Sequence, residues 1–140
     1  MDARIDVITL AIDDFERALA FYRALGFKSK GVVATDHTGD DTHPAGAIAQ
    51  IHLNNGQILA LYPRSELAKD AGIPAGPAQS GEFSLGQIVA TRDDVDALLA
   101  KAKTAGAPVS ELHDRPWGIY SGYFRDPDGH LWEVITSNKT

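Results

Sequence analysis

The chain has 140 residues, a formal net charge of −6 at pH 7 and 44% hydrophobic residues, values typical of one globular domain and not of a disordered or fibrous protein. Acidic and basic residues are mixed along the chain, which argues against a nucleic-acid partner. The absence of cysteine excludes disulfides, thiolate metal sites and cysteine nucleophiles. Because the sequence has neither a membrane-length apolar run nor a signal peptide, we expect a cytoplasmic protein with no membrane partner.

An internal repeat organises the chain. Residues 5–27 align without a gap on residues 85–107, at an offset of 80. In each copy an alternating apolar segment leads into an acidic pair, Asp13-Asp14 in the first and Asp93-Asp94 in the second. Alternation followed by an N-capping residue type predicts a strand and then the N-terminus of a helix.

Each acidic pair is followed by apolar residues at helical spacing. Asp13 and Glu16 have the spacing of a capping box at the start of the first helix. The apolar pattern stops at Gly26 in the first copy and at Gly106 in the second. Because glycine adopts the left-handed conformation that ends many helices, these positions predict two amphipathic helices with matching C-termini.

The rest of each copy has the alternation of β structure. The turns Asn54-Asn55-Gly56 and Asp126-Pro127-Asp128-Gly129 separate its last two strands. Superposing the turn glycines places Ala60 over Glu133. The strands predicted after the helices are 28–34, 47–53 and 57–62 in the first copy, and 108–112, 117–125 and 130–136 in the second.

The sequence therefore predicts an α+β fold of two βαβββ modules. We divide the single domain 1–140 into an N-terminal module (1–62), a linker rich in proline and glycine (63–80) and a C-terminal module (81–140). A single helical turn is predicted at 65–70 inside the linker. Residues 36–44 form a predicted loop whose acids and imidazoles suit a surface ion clip, a flap or simply a solvated loop.

These motifs resemble the vicinal oxygen chelate superfamily of glyoxalase I, bleomycin-resistance proteins and extradiol dioxygenases. The resemblance rests on Asp-Asp-Phe-Glu-Arg-Ala-Leu-Ala-Phe-Tyr-Arg-Ala-Leu-Gly-Phe at 13–27 and on Gly-Tyr-Phe-Arg-Asp-Pro-Asp-Gly-His-Leu-Trp-Glu-Val at 122–134. It implies a cup-shaped mixed sheet of about eight strands, with the helices on its outer face. It also implies a homodimer.

Metal-dependent members of the superfamily hold a divalent ion with a His or Gln on the first strand and a Glu on the last strand of each module. The resemblance places these four positions at Val7, Ala60, Gln87 and Glu133. Valine and alanine have no donor atom, so the ligand set is incomplete. We expect no cofactor; any divalent metal would have only Gln87 and Glu133 as ligands.

Strand alternation predicts which other side chains line the cup. It places Leu85, Gln87 and Val89 on the same face as Glu133, and the lining is apolar with a few polar groups, as in small-molecule sites. The predicted ligand-binding residues are Val7, Gln50, His52, Ala60, Tyr62, Gln87, Trp117, Ser121, Tyr123 and Glu133. For His52 and Trp117 the alternative is a role in packing.

Two functions are consistent with these residues. The first is metal-free binding of an apolar or aromatic small molecule, as in the antibiotic-resistance branch. The alternative is a lyase, isomerase or dioxygenase that uses Glu133 and Gln87, with or without a weakly held divalent metal. Glu133 is then the candidate catalytic residue, as a general base in an apolar setting. If it has no such role, it is a structural partner of Gln87 or of a tyrosine.

Overall fold

The computed structural model describes residues 1–34, 37–78 and 80–137. The chain divides into two compact units, Met1–Ala78 and Gln79–Thr140. The elements in chain order are β1 (Val7–Ile12), α1 (Phe15–Ala24), β2 (Ser29–Val33), β3 (Ile48–His52), β4 (Ile58–Pro63), α2 (Arg64–Ala71), β5 (Leu85–Ile88), α3 (Arg92–Thr104), β6 (His113–Arg115), β7 (Ile119–Arg125) and β8 (Leu131–Ser137). The predicted α+β class and the two βαβββ modules are confirmed.

Each unit contains a mixed four-stranded sheet. The strand orders are β1-β4-β3-β2 and β5-β8-β7-β6. In both sheets the first strand of the unit pairs in parallel with the last, and the other pairs are antiparallel. Among the helices of the described residues, none is long and apolar enough to cross a membrane.

One face of each sheet packs on its helix. In the N-terminal sheet the buried face carries Leu10, Ile12, Ala49, Ile51, Leu59 and Leu61. Helix α1 contributes Ala18, Leu19 and Tyr22 to this core. In the C-terminal sheet Phe124, Trp132 and Val134 are buried with Val95 and Leu99 of α3. A Cβ placed on Gly122 would overlap Leu99 Cδ1, so the helix lies directly against the sheet at this glycine.

The two helices begin differently. The Asp14 carboxylate caps α1 by accepting from the N–H groups of Glu16 at 2.9 Å and Arg17 at 3.3 Å. Helix α3 is capped by Thr91, whose hydroxyl accepts from Asp94 N–H at 3.1 Å while the Asp94 carboxylate accepts from Thr91 N–H at 3.2 Å.

The prediction that Asp93-Asp94 caps the second helix is therefore wrong. Both residues lie in the first turn, because the hydroxyl of Thr91 supplies the cap earlier. The capping box predicted for Asp13 is also wrong, since Asp14 caps the helix and Asp13 accepts from Arg64 Nε at 2.9 Å.

The two helices end alike. Gly26 and Gly106 have φ of 101° and 100°. The N–H of the residue after each glycine donates to a carbonyl five residues back, Phe27 to Tyr22 and Ala107 to Ala102. Because the ends match and the starts do not, α3 has 13 residues against 10 in α1.

Three predicted boundaries differ from the structure. The strand predicted at 108–112 is replaced by β6 (His113–Arg115), because the ladder to β7 begins at the His113 and Ser121 pair, and Val109 forms only an isolated bridge to Phe124. Helix α2 has eight residues instead of a single turn. Trp117 lies in the turn between β6 and β7, where Gly118 N–H donates to the carbonyl of Arg115. Asp36 of the predicted loop and Gln79 of the predicted linker lie outside the described residues.

Candidate functional site

The N-terminal sheet has a second face, opposite α1, which we call the Val7 face. Its register pairs Thr9 and Gln50 with Ala60, and Val7 and His52 with Ile58. Paired residues in a sheet share a face, so the Val7 face carries Val7, Thr9, Gln50, His52, Ile58, Ala60 and Tyr62. This is the grouping that the alternation predicted; that these residues bind a ligand stays a prediction.

Side chains on the Val7 face differ in accessibility. Val7, Gln50 and His52 are exposed, whereas Ala60 is only 1% exposed between its larger neighbours. The Tyr62 hydroxyl donates to the carbonyl of Ala45 at 2.5 Å, and burial is the main cause that raises the pKa of this phenol. A ligand on this face would therefore contact chiefly Val7, Gln50 and His52.

A loop is held at the Tyr62 end of the Val7 face. Ala45 N–H donates to Glu66 Oε2 at 2.8 Å, so both backbone groups of Ala45 are bound by side chains. Nearby, the N–H groups of Thr42 and His43 donate to the Asp40 carboxylate and lower its pKa to about 2. These contacts give the described part of the predicted 36–44 loop a structural role.

The C-terminal sheet has a corresponding face opposite α3, which we call the Glu133 face. Glu133 pairs with Tyr123 on β7 and with Gly86 on β5. The next positions on the same face are Ser121, paired with Ile135, and the strongly exposed Ile88 at 82%. Ser121 and Tyr123 therefore share a face with Glu133, as predicted, although Ser121 is only 4% exposed.

Glu133 and Tyr123 form the polar centre of the Glu133 face. Their side chains lie close enough for the Glu133 carboxylate to act on the Tyr123 phenol. The pKa of the Tyr123 phenol is raised, first by burial and then by the Glu133 carboxylate, while Arg115 acts in the opposite direction. The phenol therefore keeps its proton next to the carboxylate, in a half-buried apolar setting.

Gln87 does not share this face. The register pairs Gln87 with Val134, which is buried beneath α3, and pairs Glu133 with Gly86. The prediction that Leu85, Gln87 and Val89 face the same way as Glu133 is therefore wrong. The cause is the extra turn of α3. The helix begins after Thr91, three residues before the predicted cap at Asp94, so β5 aligns with β1 at a register that differs by three residues from the predicted one. A shift by an odd number of residues exchanges the two faces of a strand. Gln87 and Glu133 cannot act together as ligands.

Two basic or imidazole residues of the Glu133 face were not in the predicted site. His113 pairs with Ser121, and Arg115 with Ile119, so both lie on this face. The centroids of the His113 and Tyr123 rings are 6.2 Å apart. His113 reads as a loop residue in the sequence, since the three-residue strand His-Asp-Arg has no β pattern. Its position beside Asp114 and Arg115 is the one feature of the sequence that suggests a role for His113 in the site. Trp117, by contrast, lies in the turn at 65% exposure rather than on the strand.

Two open clefts lie away from these residues. One, of about 760 Å³, is lined by residues 1–6 and 55–57. The other, of about 330 Å³, lies between α3 and residues 109–112. Neither lining includes a predicted site residue, so the Val7 face and the Glu133 face are two separate candidate surfaces, one in each unit.

Comparison with known proteins identifies the family. Residues 4–134 match the model of the Glyoxalase/Bleomycin resistance protein/Dioxygenase superfamily. The chain belongs to this superfamily. A comparison with curated proteins finds no significant match.

Several solved structures are similar to the chain. They include a glyoxalase-related enzyme from Fulvimarina pelagi, with 26% identity, a TM-score of 0.78, and 96% of this chain and 88% of that chain covered. A lactoylglutathione lyase from Agrobacterium tumefaciens has 24% identity and a TM-score of 0.65, with 97% and 95% covered. The fosfomycin resistance protein FosX from Listeria monocytogenes has 16% identity and a TM-score of 0.70, with 98% and 95% covered. The last two likenesses show the fold alone.

One of the similar solved structures, a mutant of FosX, contains Mn(II) and 1S,2S-dihydroxypropylphosphonic acid. The residues of this chain do not fit such an ion. Val7 and Ala60 have no donor atom, and Gln87 lies on the opposite face from Glu133. In the described ranges, no group of three His, Asp or Glu side chains comes close enough together to hold a metal.

Proposed function

We propose that this superfamily member binds a small organic molecule on the Glu133 face, without a resident metal. The observation that carries the proposal is the cross-strand pair of Glu133 and Tyr123, set among apolar side chains on a face that α3 does not cover. A few convergent polar groups in an apolar surface are the usual construction of a small-molecule site.

The apolar part of the Glu133 face favours an apolar or aromatic ligand. Ile88 is 82% exposed, and Ile119, Leu131 and Ile135 are half-buried on the same side of the sheet. Covering such side chains releases water and contributes about 25 cal/mol per Å² of apolar surface buried. The predicted contact Trp117, in the β6–β7 turn of the same unit, would add to this surface.

Binding of the neutral aromatic dye N-phenyl-1-naphthylamine, followed by its fluorescence in EDTA-treated protein, tests the proposal. We expect saturable binding that Ile88→Asp weakens about tenfold, equivalent to about 1.4 kcal/mol. The matched control is Ile73→Asp, which changes another exposed isoleucine, one that follows α2. Equal weakening by both substitutions, or binding that requires added Mn²⁺, would contradict the proposal.

A second candidate function is acid–base catalysis of the lyase or isomerase type. One observation favours it: Glu133 pairs with Tyr123, whose raised pKa keeps the phenol protonated, so a carboxylate and an acid lie side by side. The related lactoylglutathione lyase shows that the fold supports a lyase.

The substrate for the test is the hemithioacetal of methylglyoxal and glutathione. NMR detects proton abstraction as incorporation of deuterium from D₂O at the carbon that carries the hydroxyl and the sulfur, next to the carbonyl. If the chain is such an enzyme, exchange is catalysed, Glu133→Gln abolishes it and Glu16→Gln, on α1, retains it. Exchange at the rate of buffer alone would leave binding as the function.

A further inference from the structure

Strand β6 presents different residues on the two sides of the C-terminal sheet. It has three residues and pairs only with β7, at the end of the strand order. His113 and Arg115 lie on the Glu133 face, while Asp114 pairs with Tyr120 and lies on the side of α3. Such a short edge strand has few ladder hydrogen bonds, so side-chain contacts matter for its position.

The carboxylate of Asp114 is tied to the first residue of α3. Arg92 Nη1 and Nη2 donate to its two oxygens at 2.9 and 2.8 Å. The Arg92 guanidinium also lies over the Tyr120 ring, 4.6 Å from its centroid, and the Tyr120 hydroxyl donates to Asp96 at 2.6 Å. We call Arg92, Asp96, Asp114 and Tyr120 the Arg92 buckle. Two-point Arg–carboxylate geometry fixes orientation as well as distance.

The residues on either side of Asp114 have no comparable restraint. Among the described residues no carboxylate forms an ion pair with Arg115 or with His113. Arg115 nevertheless acts on Tyr123 electrostatically, and the His113 ring lies near the Tyr123 ring. Because strand side chains alternate, holding Asp114 against α3 directs both neighbours to the Glu133 face.

We propose that Arg92 and Asp114 are positioning residues, which hold β6 from the helix side so that His113 and Arg115 stay beside Tyr123 on the Glu133 face. The proposal rests on the proposed function for its biological meaning, since it makes the buckle a determinant of how the Glu133 face meets its ligand.

Electrostatics supply a readout that does not depend on a ligand. The positive charge of Arg115 lowers the pKa of Tyr123, against the raising effects of burial and Glu133. If breaking the buckle lets Arg115 move away, the pKa of Tyr123 rises further. Glu133 from β8 and Arg115 from β6 act on the pKa of Tyr123, and the His113 ring, also from β6, lies beside the phenol.

The test is titration of the Tyr123 phenol by NMR in protein labelled with ¹³C-tyrosine. Asp114→Asn is expected to raise the Tyr123 pKa in the same direction as Arg115→Met. The double variant is expected to match Arg115→Met alone, because the buckle acts through Arg115. Asp114→Glu keeps the charge and should restore the wild-type titration. The matched control, Asp93→Asn, removes the same charge next to Arg92 without touching β6 and should leave Tyr123 unchanged.

An unchanged Tyr123 titration in folded Asp114→Asn, or additive shifts in the double variant, would overturn the positioning role. These outcomes are separate from those of the dye experiment. Failure to bind N-phenyl-1-naphthylamine together with the expected Tyr123 shift would contradict the proposed function and support the positioning role. Dye binding without the Tyr123 shift would contradict only the positioning role.

Discussion

The two units of this chain share the order βαβββ, which α2 follows in the N-terminal unit, but the helix after the first strand begins three residues earlier in the C-terminal repeat. In the N-terminal unit a six-residue β1 leads to a cap at Asp14, whereas in the C-terminal unit a four-residue β5 leads to a cap at Thr91. The helix ends and the last hairpins still match. The difference teaches that a repeat can be conserved at its ends while an added turn inside it exchanges the faces of the strand before it.

The largest expected effect comes from the packing of helix on sheet. Gly122 pairs with Val134 beneath α3, and the corresponding position in the N-terminal sheet is Ala49, which pairs with Leu61 and is fully buried. Gly122→Val should destabilise the fold by about 2–3 kcal/mol, because the new methyl groups overlap Leu99. Ala49→Gly should cost about 1 kcal/mol. Urea unfolding measures both changes in the free energy of unfolding. A Gly122→Val variant as stable as the wild type would show that Leu99 moves aside without cost.

The last hairpins are the next point of comparison. Asp126, 3% exposed, accepts from the N–H groups of Asp128 at 3.0 Å and His130 at 2.8 Å. In the exposed N-terminal turn the equivalent position is Leu53, and the side-chain acceptor is Asn55, which accepts from Gln57 N–H at 3.4 Å. Asp126→Ala should cost about 2 kcal/mol, because buried donors lose their acceptor, and Asn55→Ala less than about 0.5 kcal/mol. Equal losses in thermal unfolding would remove the distinction between the turns.

Helix capping tests the displaced start of α3 directly. Thr91→Ala and Asp14→Ala should each cost about 1 kcal/mol, the usual value of an N-cap. Asp93→Ala should change the free energy of unfolding by less than about 0.5 kcal/mol. If Asp93→Ala were the costlier change in denaturant titrations, the acidic pair would be the cap after all.

The smallest effect concerns the two tyrosines. Glu133→Gln should lower the pKa of Tyr123, because the phenol loses the negative charge that favours its protonated form. The pKa of Tyr62, whose hydroxyl donates to a backbone carbonyl, should not move. A pKa that is raised in the folded state stabilises the fold fully below a pH of about 10, and this stabilisation is lost as the pH rises through the folded-state pKa. The free energy of unfolding of Glu133→Gln should therefore fall less between neutral and alkaline pH than that of the wild type. NMR of the tyrosine rings checks the two groups separately.

Much of the fold could be predicted from local chemistry. Helix ends at Gly26 and Gly106 and the hairpins at Gly56 and Gly129 depend on residues that favour left-handed backbone, and these signals are read directly from the sequence. The α+β class and the pairing of Glu133 with Tyr123 on one face follow from them. The family resemblance, carried by the same motifs, is confirmed by the family match.

The remaining features depend on choices between competing signals. Thr91 and Asp94 both suit a cap, and only their reciprocal hydrogen bonds show that the helix starts at the threonine. That choice decides the face on which Gln87 lies. Strand β6 is specified by pairing with β7 and by Arg92, residues distant in sequence, so His113 and Arg115 could not be placed from their local pattern.

The clamp on Ala45 has a consequence for how this chain tolerates change in length. Gly46 N–H donates to the carbonyl of His37, which closes the segment between them at its base, and Tyr62 and Glu66 hold the adjoining Ala45. Doubling the length of a closed loop costs only about 0.6 kcal/mol of entropy. Residues inserted between 38 and 42 would lengthen a loop whose two ends are already held together, and the hydrogen bonds between β2 and β3 would remain in place. We therefore expect insertions in this segment to change the surface of the protein without disrupting the N-terminal sheet.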